Sequence, residues 1–156
     1  MIPVIDFQSK TVLEDIREAY TTVGFAVFTD ALNTKDQDTM KSWWKLMQGF
    51  FELEQETKNK YAYQKDNNLG YSIVGAENVD PNGPKDMKES FNYNNTRMPE
   101  DLWPGDINGF KATALQSIDI ADKLTLKILE KFDLILDSGT TLVDAHLRPY
   151  NTTRVI

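Results

Sequence analysis

Apolar residues recur at steps of four, four, three, three, four, four and three from Phe110 through Ala114, Ile118, Ala121, Leu124, Ile128 and Phe132 to Ile135. That is one unbroken helical stripe, and it predicts a long helix over residues 107–136, closed by Ser138-Gly139. A shorter stripe, Leu13, Ile16, Ala19-Tyr20 and Val23, predicts a helix between a capping box at Thr11/Glu14 and a C-cap glycine at Gly24. A third set, Met40, Trp43-Trp44, Met47 and Phe50-Phe51, follows a second capping-box spacing at Thr34/Gln37. The charged run from Glu52 to Lys60 predicts a further short helix, with Glu54 and Lys58 in the favourable i,i+4 order.

Strand signals are shorter. Val4-Ile5 with Phe7 predicts an opening strand, and Phe25 to Phe28 a buried one. Residues 62–85 read as a long loop broken by an extended piece at Tyr71 to Val74. Lys88 to Tyr93 predicts a strand on which Lys88, Ser90 and Asn92 alternate with Glu89, Phe91 and Tyr93. Thr140 to Val143 and Thr152 to Ile156 also read as strands. The last of these ends on an apolar residue with no turn after it, and predicts truncation of a longer sheet.

Composition narrows the function classes. The 156 residues are 40% hydrophobic with three Trp, eight Phe and six Tyr, enough for a packed core. Net charge is −7, with the cations dispersed, which argues against a nucleic-acid or anionic-membrane surface. There are no cysteines, hence no disulfide framework or thiol nucleophile. No apolar run approaches the roughly 18–20 residues that cross a bilayer, and the opening Met1-Ile2-Pro3-Val4-Ile5-Asp6 does not have the basic n-region and apolar h-region expected of a secretory leader. A soluble cytoplasmic protein is the expectation. The single histidine, His146, lies beside Arg148 and Pro149 in an expected loop and supports no metal or acid–base site alone.

Six blocks stand in a fixed order: Ile2-Pro3-Val4-Ile5-Asp6, Gly24-Phe25-Ala26-Val27-Phe28, Phe50-Phe51-Glu52-Leu53 with Lys58 and Lys60-Tyr61, Gly70-Tyr71-Ser72, Asp86-Met87-Lys88-Glu89-Ser90-Phe91 and Leu102-Trp103-Pro104. Their order and spacing resemble the N-terminal region of the iron(II)/2-oxoglutarate-dependent oxygenases related to isopenicillin N synthase. Thr152-Thr153-Arg154-Val155-Ile156 extends the likeness to the start of a barrel strand. Thr29-Asp30-Ala31-Leu32 departs from the Asn-His-Gly-like turn common in that family.

The resemblance implies an α+β fold: N-terminal helices and strands buttressing a double-stranded β-helix (jelly-roll) barrel whose catalytic half is mostly missing here. It divides the chain into an N-terminal domain at 1–105, the long helix at 106–139 and a truncated start of the barrel at 140–156. It implies a dioxygenase, an oxidoreductase that hydroxylates or desaturates a small organic substrate with iron(II) and 2-oxoglutarate in the full-length enzyme. The family's His-x-Asp and Arg-x-Ser motifs are not in this sequence, so neither cofactor, no metal site and no catalytic residue is expected in this chain, which alone is expected to be inactive. Tyr71, Phe91 and Tyr93 are the candidate substrate-binding residues, with core packing as their other reading. A free-standing, non-catalytic ligand- or partner-binding module of the same fold is the alternative. The exposed terminal strand predicts self-association.

Overall fold

In a computed structural model the chain is described at residues 1–78, 80, 82–146 and 151–156. It divides into two compact units, Met1–Asp38 with Asp119–Pro149, and Thr39–Ile118 with Tyr150–Ile156.

In the first unit, β1 (Val4–Asp6) pairs in parallel with β2 (Val27–Thr29), joined by α1 (Val12–Thr22). The α1 stripe is amphipathic as predicted: Val12, Ile16 and Ala19 are buried with Ile5, and Phe28, Phe132 and Ile135 pack against them. Gly24 takes φ +82° and donates its N–H to the Ala19 carbonyl at 3.0 Å, ending the helix as a left-handed C-cap residue. β2 is shorter and less covered than expected, with Phe25 68% and Val27 49% exposed. A two-stranded sheet with one packed face leaves alternate residues in water.

The predicted capping boxes are replaced by neighbours. Thr11 donates its hydroxyl to Asp15 at 2.9 Å and caps no backbone amide with its side chain. For α2 (Thr34–Phe51), the side chain of Asn33 accepts from the Asp36 N–H at 2.9 Å, while Gln37 reaches back to the Leu32 carbonyl. Asn33 is thus the cap, one residue before the expected Thr34.

The long helix α4 (Phe110–Leu136) forms, and Asp137, Ser138 and Gly139 follow it with positive φ at 137 and 139. The expected strand at Thr140–Val143 is instead helix α5 (Thr141–His146). The cause is tertiary. The buried carboxylate of Asp133, one turn before the end of α4, accepts from Ser138 Oγ (2.5 Å) and from the N–H groups of Leu142 (3.0 Å) and Val143 (3.1 Å). It therefore satisfies the orphan donors that open α5.

In the second unit, β3 (Gly70–Ser72), β4 (Ser90–Tyr93) and β5 (Thr153–Val155) form an antiparallel sheet in the order β3-β4-β5. Short helix α3 (Gln55–Lys58) and a 3-10 turn at Asn59–Tyr61 lead into it. One face of the sheet lies in an aromatic core with Trp43, Met47 and Phe50 of α2 and Phe110, Ala114 and Ile118 of α4. Phe50 is its hub, with ring centroids 5.1 Å from Phe91, 5.7 Å from Tyr71 and 5.8 Å from Phe110. Tilted and edge-to-face pairs of this kind add to the area burial of each ring. The α4 stripe is fully buried only at this end. Leu124 and Ile128 are half-buried and Ala121 is exposed, so the sequence period outruns the packing.

Phe50→Ala should cost about 3–5 kcal/mol, the usual penalty for emptying a buried phenylalanine site, read as a lower urea midpoint. Asp133 gives a second test. Burial opposes its charged form, but the hydrogen bonds from Ser138, Leu142 and Val143 outweigh this and hold its pKa below the usual carboxylate value. A lowered folded pKa stabilises the fold above the unfolded carboxylate pKa, and that stability is lost as pH falls through the folded value. Urea midpoints measured from about pH 6 down to about pH 2 should fall more steeply for wild type than for Asp133→Asn.

Candidate functional site: the polar face of the three-stranded sheet

The alternation along β4 sends Phe91 and Tyr93 into the aromatic core and Ser90 and Asn92 to the opposite face. Register places Ser72 opposite Ser90 and Arg154 opposite Asn92 on that polar face. Asn92 is 1% exposed, and its side-chain polar atoms are both committed. Its Nδ2 donates to the Asn68 carbonyl at 3.1 Å, and its Oδ1 accepts from Arg154 Nε at 2.9 Å. Gly70, also opposite Asn92, has φ +101°, and a Cβ there would lie 2.8 Å from the Tyr61 carbonyl oxygen and 2.9 Å from that of Ala62. Only glycine lets the chain close that tightly onto β3.

Beyond β4, the buried Asn94 accepts from the N–H groups of Thr96 and Arg97 and donates to the Asn151 carbonyl, tying the strand end to the chain entering β5. The β3–β4 connection folds back on itself through Gly75 N–H to Asp86 O (3.0 Å) and Asp86 N–H to Glu77 O (3.1 Å). It brings Glu77 to the Arg154 guanidinium, with Oε2 at 3.1 Å from one terminal nitrogen and Oε1 at 2.9 Å from the other. Lys88 Nζ lies 3.0 Å from both Glu77 and Asp86. The Lys88 hydrogen bond, against some desolvation and with help from Arg154, holds the Glu77 carboxyl below its usual pKa.

Tyr71, Phe91 and Tyr93, the three candidates from the sequence, are brought together, but on the core side of this sheet. They are 2%, 0% and 1% exposed. Tyr71 donates its hydroxyl to Glu89 at 2.5 Å, and the Tyr93 hydroxyl meets Ser117 at 3.0 Å. Burial, reinforced at Tyr71 by Glu89, raises both phenol pKa values. Glu89 also accepts from Lys58 Nζ at 2.7 Å, while Lys58 donates to the Phe51 carbonyl at 2.9 Å. His146 closes α5 rather than standing in a loop; it is exposed, with Nδ1 2.7 Å from the Leu142 carbonyl. Its expected neighbours Arg148 and Pro149 lie outside the described residues. Among the described residues, no three His, Cys, Asp or Glu side chains are grouped so as to hold a metal ion.

Arg154, Glu77 and Asn92 form a polar cluster that the sequence does not announce. The only signal for it was the period-2 alternation that set Asn92 apart from Phe91. Lys58→Met should destabilise by about 1–3 kcal/mol, because it removes the ammonium that the Glu89 carboxylate and the Phe51 carbonyl share. The double variant Lys58→Met/Glu89→Gln should recover part of that loss in urea denaturation.

The family of N-terminal domains described as "non-haem dioxygenase in morphine synthesis N-terminal" matches residues 2–108. No curated protein sequence matches the chain. Among solved structures, a full-length Neurospora crassa protein in complex with alpha-KG superposes with a TM-score of 0.77 at 23% identity, over 98% of this chain and 53% of that one. A Caulobacter crescentus protein described as of the 2OG-Fe(II) oxygenase family gives a TM-score of 0.71 at 24% identity, over 87% and 48%. A Shewanella oneidensis protein described as an oxygenase gives 0.62 at 20%, over 85% and 43%. These likenesses establish the fold, and the chain spans about half the length of each of these structures.

Proposed function

This chain belongs to the family of non-haem dioxygenase N-terminal domains, and on that premise we propose that it is the N-terminal part of an iron(II)/2-oxoglutarate-dependent oxygenase that hydroxylates or desaturates a small organic substrate. The observation that carries this reading is the superposition of 98% of the chain on only 53% of the Neurospora crassa protein. Residues 1–105 are then the N-terminal domain, 106–139 the helix that supports the barrel, and 140–156 the lead into the barrel.

Iron(II), 2-oxoglutarate and dioxygen would together supply the oxidising chemistry in the whole enzyme. The chain's donor set does not fit the metal: two histidines and a carboxylate are the usual ligands for this chemistry, and His146 is the one histidine present. No step through iron is therefore assigned to these residues. Their work is placement. The aromatic core fixes the sheet, and on its other face the buried Ser72, Ser90 and Asn92 lie beneath the exposed Arg154, the side that this reading assigns to the barrel. Tyr71, Phe91 and Tyr93 act in this reading as positioning residues, holding from behind the strands that carry the polar face.

The reading is tested by pairing the 156-residue chain with its longer form. The chain should give no succinate from 2-oxoglutarate with iron(II) and no calorimetric iron binding, whereas the reading frame continued beyond Ile156 should encode His-x-Asp and restore both. Stoichiometric iron binding by the short chain would contradict it. A second outcome concerns β5, whose outer edge has no strand partner among the described residues and which runs into Ile156, 63% exposed. An open edge of this kind pairs with other copies. Light scattering should show dimers or larger species that diminish when residues 152–156 are deleted.

A further inference from the structure

We propose that the guanidinium of Arg154 is a carboxylate-recognition point for the substrate, and that Glu77 occupies it as an intramolecular stand-in which the substrate's own carboxylate displaces. The proposal rests on the reading of the polar sheet face as the substrate side.

Three features carry it. The guanidinium is preset. Asn92 holds Nε at 2.9 Å while being itself anchored to the Asn68 carbonyl, so the two terminal nitrogens are presented as a fixed fork. That fork matches a planar carboxylate in bidentate geometry, as a lysine would not. Glu77 demonstrates the fit, with one oxygen on each terminal nitrogen at 3.1 and 2.9 Å.

The occupant is also easily exchanged. The side chains of Arg154 and Glu77 are 35% and 33% exposed, so the pair is open to solvent and to a competing anion. Exposed ion pairs contribute little net stability. Displaced from Arg154, Glu77 keeps the Lys88 ammonium at 3.0 Å and is not left unpaired. Among the described residues, Glu77 is the carboxylate that Arg154 meets, so its departure opens the fork to the newcomer. The arrangement is a receptor with a built-in placeholder.

The test uses the 156-residue chain, sodium benzoate as a plain carboxylate probe, and 2-oxoglutarate as a second arm, at constant ionic strength. The Arg154 Nε–H resonance is followed by NMR. Benzoate should shift it saturably with a dissociation constant on the order of millimolar, the weak regime that suits one displaceable ion pair. Glu77→Gln removes the competing charge and should tighten benzoate binding by about tenfold, equivalent to about 1.4 kcal/mol. Arg154→Lys, followed through the neighbouring Asn92 side-chain amide resonances in both proteins, should abolish the saturable response. Because the wild-type resonance reports directly, the conclusion does not depend on any variant folding. No saturable shift in either wild type or Glu77→Gln would overturn the proposal, and so would a response to 2-oxoglutarate alone, which would make the fork a cosubstrate site. Either failure leaves untouched the iron and succinate outcomes that decide the oxygenase assignment.

Discussion

The packing of Phe50 against Phe91, Tyr71 and Phe110 is the constraint on which the second unit depends. It decides which face of β4 is inside. A strand has only two faces, and a one-residue slip would exchange them entirely. Once Phe91 and Tyr93 are locked into the aromatic cluster, Ser90 and Asn92 must point the other way. Arg154 then meets Asn92 because β5 pairs in that register. The polar site is a geometric consequence of the aromatic one.

The same logic explains the roles of the buried polar groups. Asn92 and Asn94 are nearly inaccessible yet hydrogen-bonded through their side chains, as buried polar groups must be to avoid a desolvation cost. One orients a guanidinium and the other joins strand β4 to the chain entering β5. Lys58, Glu89 and Tyr71 form a compact polar cluster at the start of the strand, where burial alone would be unfavourable and the mutual hydrogen bonds compensate. Asp133 does a similar service in the first unit, where a carboxylate on one helix provides the cap for the next.

Much of this was legible in the residues. Helical periodicity located α1, α2 and α4, Gly24 marked a real C-cap, and the family likeness carried by the six sequence blocks holds across residues 2–108. What could not be read was tertiary. Thr140 to Val143 has strand propensity, but Asp133 makes it helical from outside the segment. Alternation separates Phe91 from Asn92 without saying which side faces a core. The pairing of Asn92 with Arg154 spans 62 residues and has no local signature. Glu77 sits in a connection whose fold depends on contacts the sequence does not announce.

The central claim is that the aromatic face of the three-stranded sheet holds the fold, whereas the Glu77–Arg154 pair on its other side does not. Urea denaturation of Phe91→Ala beside Glu77→Gln tests it most directly. The account predicts a loss of about 3–5 kcal/mol for the first and no more than about 1 kcal/mol for the second. Equal, large losses would contradict it, since the polar face would then be holding the fold together rather than standing ready for a ligand.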